Sequence, residues 1–262
     1  VQTCALPILP IVLCWVTMKC LKFASSAMKT QNKTHAVMSQ RHEKKDSLDY
    51  FPTPPWATRA LFHSVILPMG FVHYNDVCLE PACGGGHMVK VLKEYFDKVE
   101  SCDIADYGQD RIADFLSKDV EQECDFIITN PPFNLAEEFV IKALSMTRKL
   151  VAVFARTQFM EGIGRYERLF KPNPPTIIAQ FTERVPIVKG RLSATASTAT
   201  SYAWFVWRTD QNNDQTQLVW IPPSRRIFEK NADYAQSLEA PHSRPTGHAT
   251  QTDLFGKIEG NN

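Results

Sequence analysis

The chain has 262 residues, of which 44% are hydrophobic and 22% charged, with a formal net charge of +1. That length suits one ordinary α/β domain with tails, or at most two small domains, and the composition excludes a disordered or fibrous chain. Near-neutrality excludes nucleic-acid binding through a global positive charge, so any such binding must use a local basic face.

Ala5 to Met18 is apolar, but it is too short to span a bilayer comfortably and carries Pro7 and Pro10. No basic region precedes it and no small-residue cleavage site closes it, which argues against a signal peptide. The chain opens on Val1, and Met28 and Met38 both precede the first motif. Residues 1–45 are therefore read as an N-terminal extension, disordered or foreign to a native protein that starts at one of those methionines. Gln31 to Lys45 is polar without an apolar period, a flexible lead-in.

Tyr50 to Pro55 (YFPTPP) is stiff and extended, since each proline restricts itself and its predecessor. Trp56 to Leu67 is predicted as a helix, with Leu61, Phe62, Val65 and Ile66 at helical spacing. Strands and helices then alternate. Strands are predicted at Asp76 to Leu79, Lys98 to Asp103, Cys124 to Thr129, Leu150 to Ala155, Thr176 to Phe181 and Tyr202 to Trp207. Helices are predicted at His87 to Phe96 and Ala136 to Met146, with a turn and short helix over Ile112 to Lys118. Such alternation predicts a parallel sheet with helices on both faces, whose ligands sit at the strand carboxyl ends. Residues 46–230 make this domain. Residues 231–262 lose periodicity and are read as a disordered tail.

The seven cysteines are Cys4, Cys14, Cys20, Cys78, Cys83, Cys102 and Cys124. None forms a CxxC pair or lies near a spaced histidine pair, so no metal site is expected. Their odd number, within apolar runs, suits reduced and buried thiols of a cytoplasmic protein.

Four motifs fall at strand carboxyl ends or just beyond. Glu80-Pro81-Ala82-Cys83-Gly84-Gly85-Gly86 follows the first strand, and its glycines let a backbone approach a ligand closely. It is neither a Walker loop nor a GxGxxG. Asp103 ends the second strand, where a carboxylate can accept from ribose hydroxyls. Asp114-Phe115 pairs an acceptor for an amine with a ring; helix capping and core packing explain it equally well. Asn130-Pro131-Pro132-Phe133 is the most specific. Its prolines donate no N–H, so the Asn130 side-chain carbonyl and the Pro131 backbone carbonyl form an acceptor pair suited to a primary amine. Phe133 adds a flat face.

The order Tyr50-Phe-Pro-Thr-Pro54, the glycine loop, Asp103, Asp114-Phe115 and Asn130-Pro-Pro-Phe133 resembles the class I S-adenosylmethionine-dependent methyltransferases over residues 46 to 208. More narrowly it resembles the amino-methylating DNA enzymes with an N/D-P-P-Y/F signature, the adenine-N6 type of bacteria and phages. The resemblance implies a Rossmann-like α/β fold, a doubly wound and mostly parallel seven-stranded sheet. It implies that Phe51, Thr53 and Pro54 flank the methionine part of S-adenosylmethionine, and that Glu80, Pro81, Ala82, Gly84 and Gly86 form the cofactor loop. It further implies that Asp103 holds the ribose, with Ile104, Asp114 and Phe115 at the cofactor's adenine. Asn130 and Pro131, with Pro132 in the same loop, would hold the target amine, and Phe133 would stack on the target base. A ring-carbon methylating enzyme needs a cysteine in this loop instead, and NPPF has none.

About fifty residues separate Phe154 from Trp204, so target recognition is expected to rest on Arg156 to Ala203. Arg156, Arg165, Arg168, Lys189 and Arg191 are candidate DNA contacts there, with Lys171 and Arg184 nearby; a merely solvated basic face explains them too. Gln251-Thr-Asp-Leu254-Phe255 resembles peptides that dock into bacterial sliding clamps. The rival readings are methylation of an amine in RNA or of a glutamine amide in a protein, and a non-catalytic cofactor-binding subunit.

Overall fold

The computed structural model describes residues 49–234. The N-terminal extension over 1–45 and the clamp-like peptide with Gln251, Leu254 and Phe255 lie outside the described residues.

The first helix, α1 (Pro55–Leu61), starts on a proline, whose missing N–H is harmless in a first turn. It runs on through a π-helical turn, Phe62–Ile66, and a last turn, Leu67–Met69, closed by Gly70 at φ 69°. Pro68 has no N–H to donate to the preceding turn, which suits the widened π geometry. Every residue of α1 is buried, so this is a core helix rather than a surface one.

Eight strands form one sheet: β1 (Val77–Glu80), β2 (Lys98–Asp103), β3 (Arg111–Ile112), β4 (Cys124–Thr129), β5 (Thr147–Arg156), β6 (Ile177–Phe181), β7 (Tyr202–Arg208) and β8 (Gln217–Ile221). Their order is β3-β2-β1-β4-β5-β7-β6-β8. All neighbours are parallel except those of β7, which runs antiparallel to both β5 and β6. No helix bridges β6 and β7, and a strand that returns without a crossover must pair antiparallel. Two further helices are α2 (His87–Leu92) and the longer α3 (Ala136–Met146).

Period-two alternation divides the core between the sheet's two faces. Phe126, Ile128, Leu150, Ala152, Phe154, Trp204 and Val206 face α1 and its extension. Ile127, Val151, Val153, Ala203 and Phe205 face α3, where Phe139 and Val140 meet them. All six residues of β4 are buried, as a central parallel strand requires. Trp204 is fully buried between sheet and helix, and its indole N–H donates to the Ala57 carbonyl at 3.1 Å. A side chain of that size contributes roughly 3 kcal/mol of hydrophobic stabilisation.

Several expectations need correction. The sheet has eight strands, not seven: beyond the six read from the sequence it gains the short β3 and an edge strand, Gln217–Ile221, with Leu218 and Trp220 exposed. The segment Ile112 to Lys118 forms no helix: β3 gives way to a turn in which the Leu116 amide donates to Asp114 Oδ1 at 2.9 Å. The helix from His87 ends at Leu92 and closes in tight turns up to Phe96. The tail reading fails for its first residues, since Asn231–Tyr234 form a 3-10 turn. There Asp233 accepts two hydrogen bonds from the buried Arg59 guanidinium, both at 2.9 Å. Arg59 gives its remaining N–H groups to Glu94 and to the Phe228 carbonyl, so all five donors are satisfied. No helix among the described residues is long and apolar enough to cross a membrane.

Candidate functional site

The strand order reverses at β1, between β2 and β4. At such a switch point the loops leaving neighbouring strands diverge and open a crevice. The crevice here is lined by Glu80, Ala82, Cys83 and Gly84 after β1, Asp103, Ile104 and Tyr107 after β2, and Asn130 and Pro132 after β4. The stretch Asp49 to Thr53 closes one side, and His87 and Met88 of α2 another.

The glycine loop turns tightly because Gly84 and Gly86 adopt φ of 46° and 72°, a region that costs other residues roughly 1–2 kcal/mol. The loop is tied to β2: the Gly84 amide donates to Asp103 Oδ2 at 2.8 Å, and the Ala105 amide to Oδ1 at 3.0 Å. These two bonds aim the Asp103 carboxylate across the cleft mouth. Burial raises its pKa above the usual aspartate value, and the amide donors oppose that rise.

Glu80 sits deeper. Its Oε1 accepts from the Thr129 hydroxyl at 2.6 Å and from the Ala82 amide at 3.2 Å. Its Oε2 is buried without a partner. Burial pushes this carboxyl up to about 8, so at neutral pH it is largely protonated and ready to ionise beside an arriving cation.

Asn130 is held by one bond, from Nδ2 to the Phe51 carbonyl at 2.7 Å. That contact fixes which way the amide points, since only the NH2 group can donate to a carbonyl. The Oδ1 atom is left buried and without a partner. A buried acceptor with nothing to accept costs free energy unless a ligand supplies the donor.

Tyr50 packs flat on the glycine loop. A Cβ at Gly84 would lie 2.4 Å from its ring, and one at Gly85 would lie 2.6 Å from its hydroxyl. Its ring also meets Tyr107, with centroids 5.4 Å apart. Burial pushes the Tyr50 hydroxyl up to about 12, so it remains a neutral donor.

Of the residues singled out in the sequence, Phe51, Thr53, Glu80, Ala82, Gly84, Asp103, Ile104, Asn130 and Pro132 line the cleft. Pro54, Pro81, Gly86 and Pro131 shape its walls without lining it. Asp114 and Phe115 stand apart. Phe115 is buried in the core against Phe139, with ring centroids 5.0 Å apart, and Asp114 caps the local turn. Phe133 lines a neighbouring hollow with Arg156, Phe159 and Arg165. The Arg156 guanidinium lies over its ring at 4.2 Å, and Phe51 packs beside it at 5.3 Å. Its amide donates to Asp49 Oδ2 at 2.9 Å.

The basic residues fall into different settings. Arg165 donates to the Phe159 and Glu161 carbonyls, and Arg168 pairs with Glu137 at 2.6 Å. Lys171 pairs with Glu167, and Arg184 donates to Ala199 and Ser201. Arg191 is exposed and Lys189 half-buried, in the loop whose Gly190 amide donates to the Tyr50 carbonyl at 2.9 Å.

Sequence reasoning assigned no role to Asp49, Tyr50, Pro52, His87, Met88 or Tyr107, all of which line the cleft. The available signal was adjacency: His87 directly follows the glycines, and Tyr50 opens the proline-rich segment.

A Rossmann-like α/β sheet with its cleft at the topological switch point is thus the class this chain belongs to by architecture. No protein-family model matches the sequence, and no curated protein matches it. Solved structures do align with it. One is the modification subunit ascribed to a type I restriction enzyme of Vibrio vulnificus YJ016, at 13% identity and TM-score 0.48, covering 66% of this chain and 47% of that one. Another is the M protein of the type I restriction enzyme EcoKI, at 14% identity and TM-score 0.48, covering 71% and 52%. A third, from Pyrococcus horikoshii, is described as an RNA methyltransferase, at 16% identity and TM-score 0.49, covering 62% and 87%. The alignment thus spans about half the length of the two restriction-enzyme subunits.

Proposed function

We propose that this protein is an S-adenosylmethionine-dependent methyltransferase that methylates the exocyclic 6-amino group of adenine in DNA. The observation that carries the reading is the Asn130 carbonyl oxygen. It is buried and without a partner, and the Phe51 carbonyl orients it at the edge of the cleft.

The residues present fit the cofactor. The glycine loop turns tightly at the cleft, Asp103 suits ribose hydroxyls, and the unpartnered Glu80 Oε2 suits an ammonium group. When bound, S-adenosylmethionine supplies a methyl group on a positively charged sulfur, already activated for displacement. The chain's task is then alignment. Asn130 Oδ1 and the Pro131 carbonyl accept the two N–H bonds of the target amine, which directs its lone pair away from them. The lone pair so directed would be free to take up the methyl group that the bound cofactor supplies. The same two acceptors stabilise the positive charge that grows on nitrogen, and the methylated amine sheds a proton to water. No base of high pKa is needed.

DNA is favoured by the sequence resemblance and by the basic segment beside the NPPF loop. A base within a duplex cannot reach this cleft, so it would be flipped out. Phe133 supports this reading: it offers the flipped base a face once Arg156 yields its place.

Tritiated S-adenosylmethionine offered with the purified chain and, separately, unmethylated genomic DNA, total RNA and a release factor tests the proposal. Transfer to DNA, recovered as 6-methyladenine and reduced at least about a hundredfold by Asn130→Ala, is the expected result. Transfer to RNA or protein alone would replace the substrate. Absence of transfer with cofactor still bound would favour the non-catalytic subunit.

A further inference from the structure

The cleft carries a charge imbalance that the proposed reading does not resolve. Among the described residues, three carboxyl groups line it, those of Asp49, Glu80 and Asp103, and no lysine or arginine does. A ligand with an amino-acid end brings an ammonium and a carboxylate together. The ammonium has Glu80, but the carboxylate has no fixed cation.

His87 is the side chain placed to meet it. It is the first residue of α2, directly after the glycines, and lines the cleft while only 3% exposed. Both ring nitrogens are buried and neither has a hydrogen-bond partner. An imidazole buried for structural reasons normally gives its N–H to a neighbouring carbonyl or carboxylate; this one does not. A Cβ at Gly85 would lie 3.4 Å from His87 Nε2 and 2.6 Å from the Tyr50 hydroxyl. The imidazole and the tyrosine hydroxyl, both of residues that line the cleft, therefore converge on the Gly85 backbone. Burial, with the Lys90 charge adding to it, holds the imidazole pKa down to about 4, and Asp233 opposes the shift weakly. The ring is neutral at physiological pH and has one N–H to donate.

Resting on the methyltransferase reading, we infer that His87 binds the carboxylate of the cofactor's amino-acid end through an imidazole N–H, and so selects ligands that carry that end. Charge-assisted bonds of this kind are among the stronger ones a buried neutral donor can make.

The test compares two ligands on the full chain by titration calorimetry. S-adenosylhomocysteine carries the carboxylate; 5′-methylthioadenosine has the same nucleoside and sulfur without the amino-acid end. His87→Met keeps the side-chain volume and removes the donor. It should weaken S-adenosylhomocysteine about 10- to 100-fold and leave 5′-methylthioadenosine within about twofold. A conservative amide, His87→Asn or His87→Gln according to which nitrogen donates, should restore most of the loss. If His87→Met binds S-adenosylhomocysteine as the wild type does, the inference is overturned. Equal weakening of both ligands, or loss of both, would mean His87 only supports the fold and would overturn it too, while the methyltransferase reading stands. A wild-type chain that binds neither ligand would overturn both.

Discussion

Glu80 offers a quantitative test of the cleft's electrostatics. Burial raises its carboxyl from 4.5 to about 8. In the unfolded chain the group ionises near its ordinary value, so between those two pH values the unfolded state is charged and the folded state is not. A raised folded pKa stabilises the folded state fully below the unfolded pKa, and that stabilisation is lost as pH rises through the folded one. His87 works in the opposite sense, because its pKa is lowered from 6.5 to about 4; its contribution is lost as pH falls below about 6.5. In the window from 6.5 to 8 Glu80 therefore dominates, with the last of the unfolded-state histidine titration opposing it weakly near pH 6.5. At about 1.4 kcal/mol per pH unit, stability should fall by roughly 2 kcal/mol across that window, or roughly 4–8 °C in melting temperature for a domain of this size. Thermal melts of the ligand-free chain at pH 6.5, 7.2 and 8.0 would show the fall. Glu80→Gln should melt at nearly the same temperature at all three, and near the wild type at pH 6.5. A wild-type profile that is flat or rises, or a Glu80→Gln profile as steep as the wild type, would refute the reasoning.

Two further outcomes concern stability. Gly84→Ala places a Cβ 2.4 Å from the Tyr50 ring at a φ of 46°, and should cost more than the roughly 1–2 kcal/mol of the left-handed conformation alone; in a Tyr50→Ala background only that smaller cost should remain, as a double-mutant cycle of urea midpoints would show. Asp233→Ala leaves the buried Arg59 guanidinium with two unmatched donors and should destabilise by roughly 3 kcal/mol, and truncation after Lys230 should cost about as much by the same measurement.

Cys124–Thr129 was legible because it is a largely apolar run closed by Asn130 and Pro131; Lys98–Asp103, with only Val99 and Cys102 apolar, was legible from its place in the strand-helix alternation. The edge strand Gln217–Ile221 carries an apolar run too, Leu218 to Ile221 before Pro222, but nothing local says that it pairs with β6 at the sheet edge and turns Leu218 and Trp220 to solvent. Asp114-Phe115 shows the same limit at the site. An acceptor beside a ring has one pattern in sequence, whether it faces a ligand or, as Phe115 does, the core. Asn130 lies at the cleft because the strand that precedes it is wholly buried and ends there.

The sequence by itself determined the alternation of strand and helix, the strained glycine turn and the acceptor-rich NPPF loop, since each follows from local backbone chemistry within a few residues. Only the tertiary structure decided which of these groups share a cleft and which are left without partners. Asn130 is oriented by Phe51 from 79 positions away, Glu80 is held by Thr129 from 49 away, and Arg59 is satisfied by Asp233 from 174 away. A hydrogen bond between positions so far apart has no periodicity to betray it. The Glu80–Thr129 bond exists because β1 and β4 are neighbours in the sheet and end side by side; the other two exist because the segments before and after the sheet fold back, Phe51 beside the end of β4 and Asp233 beside the first helix.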